Sequence, residues 1–134
     1  MSLFRKSVFG CLLLVAARRS LNIPSMAAIT RFEDIEAWQC ARALAGDVYS
    51  ICRRGELAHD FGLRDQMQRA AVSIMANIAE GYVRQGRREL IQFLKIARGS
   101  RTELQSHLYL ALDADFVTNA EFSALQSSAE VTGR

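Results

Sequence analysis

The stretch RAAVSIMANIAEGY, residues 69–82, decides how the chain is read. It is nearly all small or apolar, yet Ser73, Asn77 and Glu80 interrupt it at spacings of four and three. At 100° per residue these three fall within about 60° of one another, so one polar stripe runs down an otherwise apolar helix. Such a helix either turns the stripe to solvent or is packed on several sides, with the stripe facing a neighbour. In the second case each polar group needs a partner, because an unmet buried group costs about 1–3 kcal/mol. Ser100, Arg101 and Glu103, on the next helix, are the candidate partners, forming a structural polar network with Ser73, Asn77 and Glu80.

Working outward, apolar positions recur at helical rather than alternating spacing. Ile35, Trp38, Ala41, Ala45, Val48 and Cys52 mark a first helix near 33–54, with Thr30 or Asp34 as its cap and Gly55 as the turn out of it. Asp60 is the expected cap of a second helix over 62–81, carrying Leu63, Met67, Ala71, Ile74 and Ile78 on one side and ending at Gly81 in a left-handed conformation. The third and longest runs from Gly86 to about Ala114, with Leu90, Phe93, Leu94, Ala97, Leu104, Leu108 and Ala111 as its buried face. Gly99, inside it, is expected to permit close helix approach. Thr118 and Glu121 form a capping-box signature for a fourth helix from about 119, shorter than the third and therefore able to leave part of a groove open. Four helical segments, short connections and no strand signal predict an all-α, antiparallel up-and-down four-helix bundle.

A chain of 134 residues with one proline is a single domain, residues 29–134, preceded by an N-terminal extension, residues 1–28. The extension has a basic start, Arg5 and Lys6, then an apolar run from Val8 to Ala17. It resembles a weak secretory signal, but the run is too short to span a bilayer and Arg18 and Arg19 follow it. The alternatives are translation from Met26, a leader, or a short apolar helix lying on the bundle or on a neighbouring subunit. Three cysteines, Cys11, Cys40 and Cys52, with no CxxC pair, predict neither a disulfide framework nor a zinc site and point to a reducing, cytoplasmic compartment.

Net charge is only +3, but it is unevenly placed. Residues 84–101 hold Arg84, Arg87, Arg88, Lys95, Arg98 and Arg101 against one acid, Glu89. Arg87, Arg88, Lys95 and Arg98 project within about 100° of arc, a face that can sit along a phosphate backbone or serve only as a soluble exterior. Helix-turn-helix and RNA-recognition signatures are absent, so base-specific reading is not expected. Catalysis is not expected either: there is no phosphate-binding glycine loop, no H-E-x-x-H and no nucleophile–His–acid set. Glu80 and Glu103 lack the Glu-x-x-His motifs of carboxylate-bridged metal sites, so neither metal nor cofactor is expected.

The segments FEDIEAWQCARALAGDVYSI, FGLRDQMQRAAVSIMANIAEGYVR and ELIQFLKIARGSRTELQSHL together resemble the four-helix-bundle family first noticed in intervening sequences of bacterial large-subunit ribosomal RNA genes. The resemblance spans residues 31–112 and rests on F-E-D-x-x-x-W-Q, F-G-L-x-x-Q-x-x-R-A, N-I-A-E-G and A-R-G-S-x-x-E-L. It implies a small bundle assembled as a homopentamer. It also implies kinship with the accessory variability determinant of diversity-generating retroelements, a basic pentamer that binds nucleic acid and a reverse transcriptase. The matching positions include Gln66, Arg69, Ser73, Asn77, Glu80, Arg98, Ser100 and Glu103; Met75 departs from a pattern that commonly has Pro there. The reading that results is a non-enzymatic, ring-like homo-oligomer with neither membrane nor small-molecule partner. Its basic face, Arg84, Arg87, Arg88, Lys95 and Arg98, binds RNA or DNA beside a processing partner; the alternative is a protein-interaction scaffold.

Overall fold

The structure, a computed structural model, describes residues 29–133. The expected extension, residues 1–28, and Arg134 lie outside the described residues. Helix α1 spans Glu36–Ile51, α2 Phe61–Val83, α3 Arg87–Asp113 and α4 Asn119–Thr132, with short 3-10 turns at Phe32–Asp34 and Glu56–Ala58 and no strand among the described residues. Contacts join α1 to α2, α2 to α3, α3 to α4 and α4 back to α1, and the longest of these seams runs between α2 and α3.

The ends follow from local chemistry, with some departures from expectation. Asp60 Oδ1 accepts from Leu63 N at 3.0 Å, starting α2 as its sequence predicts. The Thr118–Glu121 capping box is complete, each side chain bonded to the other's backbone N–H at 3.1 and 3.0 Å. Helix α1, however, begins later than predicted, at Glu36 behind Ile35, and no side chain caps it. Residues 32–34 form the 3-10 turn instead, with Gln39 Nε2 donating to Glu33 O at 2.8 Å and Phe32 edge-on to Trp38 at 5.1 Å.

Neither interior glycine takes the role predicted for it. Gly81 does not end α2, which continues to Val83, and the left-handed residue is Gln85, φ 54°. A Cβ on Gly81 would meet Phe93 Cβ at 3.0 Å and Leu90 Cδ1 at 3.2 Å, so this glycine is where α2 and α3 approach closely. Gly99 has nothing within 4 Å of such a Cβ and permits no close approach. Beyond α3, Asp115 takes the left-handed place at φ 58°, and the Phe116 and Asp115 N–H groups bond to Ala111 O and Leu112 O at 2.9 and 3.0 Å, a Schellman ending.

The core sits at mid-length, where Leu44, Met67, Leu104, Leu108 and Leu125 are fully buried. Each such side chain contributes about 1.5–3 kcal/mol by leaving water. Every predicted apolar position of α2, from Leu63 to Ile78, lies in this core. The predicted α3 face holds only in part: Ala97, Leu104, Leu108 and Ala111 are buried, but Leu90 and Leu94 are 37% and 43% exposed and Phe93 is half-buried. With 14 residues, α4 cannot cover the 27 of α3. Of the described cysteines, Cys52 is a buried free thiol.

Candidate nucleic-acid interface and the adjoining groove

Chain reversal after α2 places the basic segment at the start of α3. Gly86 N bonds back to Arg84 O at 2.7 Å, Gln85 turns left-handed, and α3 starts at Arg87 with no side chain capping it. Arg87 and Arg88 therefore stand in the first turn, where the free N–H groups and the positive end of the helix dipole already lie. Cations there repel that end of the helix, and the combination attracts anions.

Arg87, Arg88, Lys95 and Arg98 are all exposed, and none has a carboxylate partner among the described residues. Arg84 is different: it pairs with Glu80 at 2.7 Å, one turn back on α2, and its guanidinium lies 5.7 Å from the Phe93 ring centre. The strip is also less uniformly polar than the sequence alone suggested. Ile91 projects between Arg98 and Lys95 on the helix, with Leu94 beside them, and these two side chains are 45% and 43% exposed.

Six residues were expected to form the polar network, and three come together. Ser73 Oγ and Ser100 Oγ lie 2.7 Å apart across the α2–α3 seam, either able to donate. Asn77 Nδ2 donates to Ser73 Oγ at 3.0 Å and to Ser73 O at 2.8 Å. Ser100 is buried, so the cluster answers a real need for partners. Glu80, Glu103 and Arg101 lie elsewhere. Glu80 is exposed with Arg84, Glu103 faces His107 at a long 3.5 Å, and the Arg101 guanidinium packs against Gly133. Arg101 Nε is buried without a hydrogen-bond acceptor.

Beside the strip lies an open groove of about 410 Å³. Its floor is apolar, from Ile74 and Ile78 of α2 to Ile91 and Leu94 of α3, and Lys95, Arg98 and Arg101 stand along it. Ala37 at the start of α1 and Gly133 just past α4 mark its margins. Sequence reasoning foresaw an opening from the shortness of the fourth helix but assigned Leu94 to the buried face. Comparing the lengths of the third and fourth helices residue by residue is the signal that locates it. No group of His, Cys, Asp and Glu side chains able to hold a metal occurs among the described residues. No helix among them is long and apolar enough to cross a membrane.

A structure of a protein with unknown function from the S23 ribosomal protein family of Bacteroides thetaiotaomicron is similar to this one, with a TM-score of 0.66 and 21% sequence identity over 72% of this chain and 91% of that one. At that identity the likeness concerns the fold. No curated protein matches the chain. The family model described as 23S rRNA-intervening sequence protein matches residues 33–134, from the 3-10 turn ahead of α1 through α4, and the chain belongs to that family.

Proposed function

We propose that this chain is a non-enzymatic, antiparallel up-and-down bundle that assembles as a ring-like homo-oligomer and binds the phosphate backbone of RNA or DNA. It acts in the cytoplasm as an accessory to a nucleic-acid-processing protein such as a reverse transcriptase. The observation that carries the reading is the set of four exposed cations on α3, Arg87, Arg88, Lys95 and Arg98, without a carboxylate partner among the described residues. Two of them sit on a helix N-terminus, where phosphate is favoured by the dipole and by free N–H groups. Repeated around a ring, weak contacts of this kind act together through avidity. Ile96 and Leu110, 44% and 55% exposed on the outward side of α3, are apolar surface that self-association can bury. Five subunits is the number implied by the resemblance.

The test is retention of generic RNA against salt. Binding is sequence-tolerant, and its logarithm falls linearly with the logarithm of salt concentration. Arg87→Glu with Arg88→Glu removes it while helicity and oligomer size stay as in wild type. No retention at about 50 mM salt, where screening is weakest, sinks the nucleic-acid reading. The scaffold reading then takes its place, supported by Ile91 and Leu94 standing exposed among the cations.

A further inference from the structure

The groove shares Lys95 and Arg98 with the basic strip but adds an apolar floor that neither phosphate binding nor ring assembly uses. Its floor offers Ile91 and Leu94, one turn apart on α3 and nearly half exposed, opposite Ile74 and Ile78 of α2. A row of apolar side chains at helical spacing between two helices is the shape into which a third helix lays its apolar face. Lys95, Arg98 and Arg101 line it, and no acid among the described residues does. None of the three has a carboxylate partner among the described residues, and Arg101 Nε is buried without an acceptor. The occupant must therefore bring apolar residues and carboxylates together.

The charge pattern discriminates among candidates. Residues 1–28 of this chain contain an apolar run but carry Arg5, Lys6, Arg18 and Arg19 and no acid, so they would set like charge against the cations along the groove. A phosphate backbone matches the cations but leaves Ile91 and Leu94 against water or charge. We propose that the groove is the docking site for an amphipathic helix of a partner protein, apolar on one face and flanked by Asp and Glu. The occupant extends its apolar face over Ile91 and Leu94 and its carboxylates toward Lys95, Arg98 and Arg101. This inference does not depend on the nucleic-acid reading.

The probe is a labelled 18-residue helical peptide with leucines at three- and four-residue spacing and glutamates beside them, compared with the same peptide bearing lysines, against the full chain by fluorescence anisotropy. The glutamate peptide binds at least tenfold tighter than the lysine peptide, and rising salt narrows the gap. Ile91→Ser with Leu94→Ser, polar changes at half-exposed positions that leave helicity intact, weakens it at least tenfold. Lys95→Glu with Arg98→Glu inverts the preference between the two peptides. Arg87→Glu with Arg88→Glu leaves peptide binding unchanged, so failure here is separable from failure of RNA retention. Equal affinity for both peptides, or binding of neither, overturns the proposal. So do three other outcomes: a smaller oligomer in the serine variant, which assigns the groove to a second copy; faster amide exchange of residues 8–17 in that variant, which assigns it to this chain's own segment; and loss of RNA retention with Leu94→Ser while neither peptide binds, which assigns it to nucleic acid.

Discussion

The two halves of α3 belong to one continuous helix and differ in what covers them. Toward its C-terminus, Leu104, Leu108 and Ala111 are wholly buried, and α4 lies over that half. Toward its N-terminus, Leu90, Ile91, Leu94 and Ile96 are 37–45% exposed and share the surface with four cations. Apolar spacing is helical in both halves. Periodicity shows which side of a helix can be buried, but whether anything covers it depends on the length of another helix, and α4 is about half as long as α3.

The largest expected effect comes from challenging the two halves with the same substitution. Leu104→Ala, under α4, leaves a cavity that the surrounding helices cannot fill and destabilises by about 2–5 kcal/mol. Leu94→Ala, on the uncovered half, changes stability by about 0.5 kcal/mol. Chemical denaturation of the two variants measures the contrast. Equal losses would mean that α3 is uniformly packed and that the groove is closed in solution.

Next in size is the hydroxyl contact where the halves meet. Ser73→Ala leaves buried Ser100 without its partner at 2.7 Å and removes one of the two acceptors of Asn77, a loss of about 1–3 kcal/mol. Replacing both serines by alanine removes the contact without stranding either hydroxyl, so the double variant loses less than the sum of the singles. Additivity in denaturation midpoints would return the stripe to an ordinary solvated face.

The glycines sharpen the comparison further and with opposite signs. Gly99→Ala meets nothing within 4 Å and raises thermal stability by up to about 1 kcal/mol through helix propensity. Gly81→Ala must displace Phe93 Cβ, which no rotamer change can move aside, so it lowers stability despite the same gain in propensity. Stabilisation by both substitutions would show that the α2–α3 contact is loose at the N-terminal half.

Much of this was legible in the sequence because it is set by local rules. Asp60, Thr118 and Glu121 announce their helix starts through hydrogen bonds within three residues, and the apolar side of α2 follows from a spacing that packing on two neighbours preserves. What was not legible depends on distance in the chain. Gly81 and Gly99 are equally compatible with a close approach until the neighbouring helix is in place. Projection groups Glu80 with the stripe and the next helix offers Arg101 as its partner, yet Glu80 finds Arg84 one turn on and Arg101 meets Gly133 from the far end of the chain. The cations of 84–101 are visible as a run, but Leu90 and Leu94 between them read as part of a core that the fourth helix is too short to complete.

The smallest predicted effect concerns how α4 is held over the C-terminal half. Glu121 is partly buried, which by itself raises its pKa, but bonds from the Thr118 backbone, Arg54 at 2.7 Å and the Thr118 side chain outweigh burial and hold it below the usual carboxylate value. A folded-state pKa below that of the unfolded chain means that the folded protein binds fewer protons in the acid range. The stabilisation is fully present above about pH 4.5, the unfolded value, and is lost as pH falls through the depressed folded value. Glu121→Gln removes that titration, so its melting temperature lies below wild type at pH 7 and converges with it toward pH 3. Arg54 and Glu121 are both partly exposed, so the gap is small and narrows with salt. Amide exchange adds the spatial component: the same substitution speeds exchange over Asn119–Thr132 and the half of α3 beneath it, and leaves the first turns of α3, which α4 never covers, unchanged. A melting difference that stays constant from pH 7 to pH 3, or exchange that rises equally along all of α3, would show that Glu121 does not fasten α4 and that the two halves are covered by something other than the length of that helix.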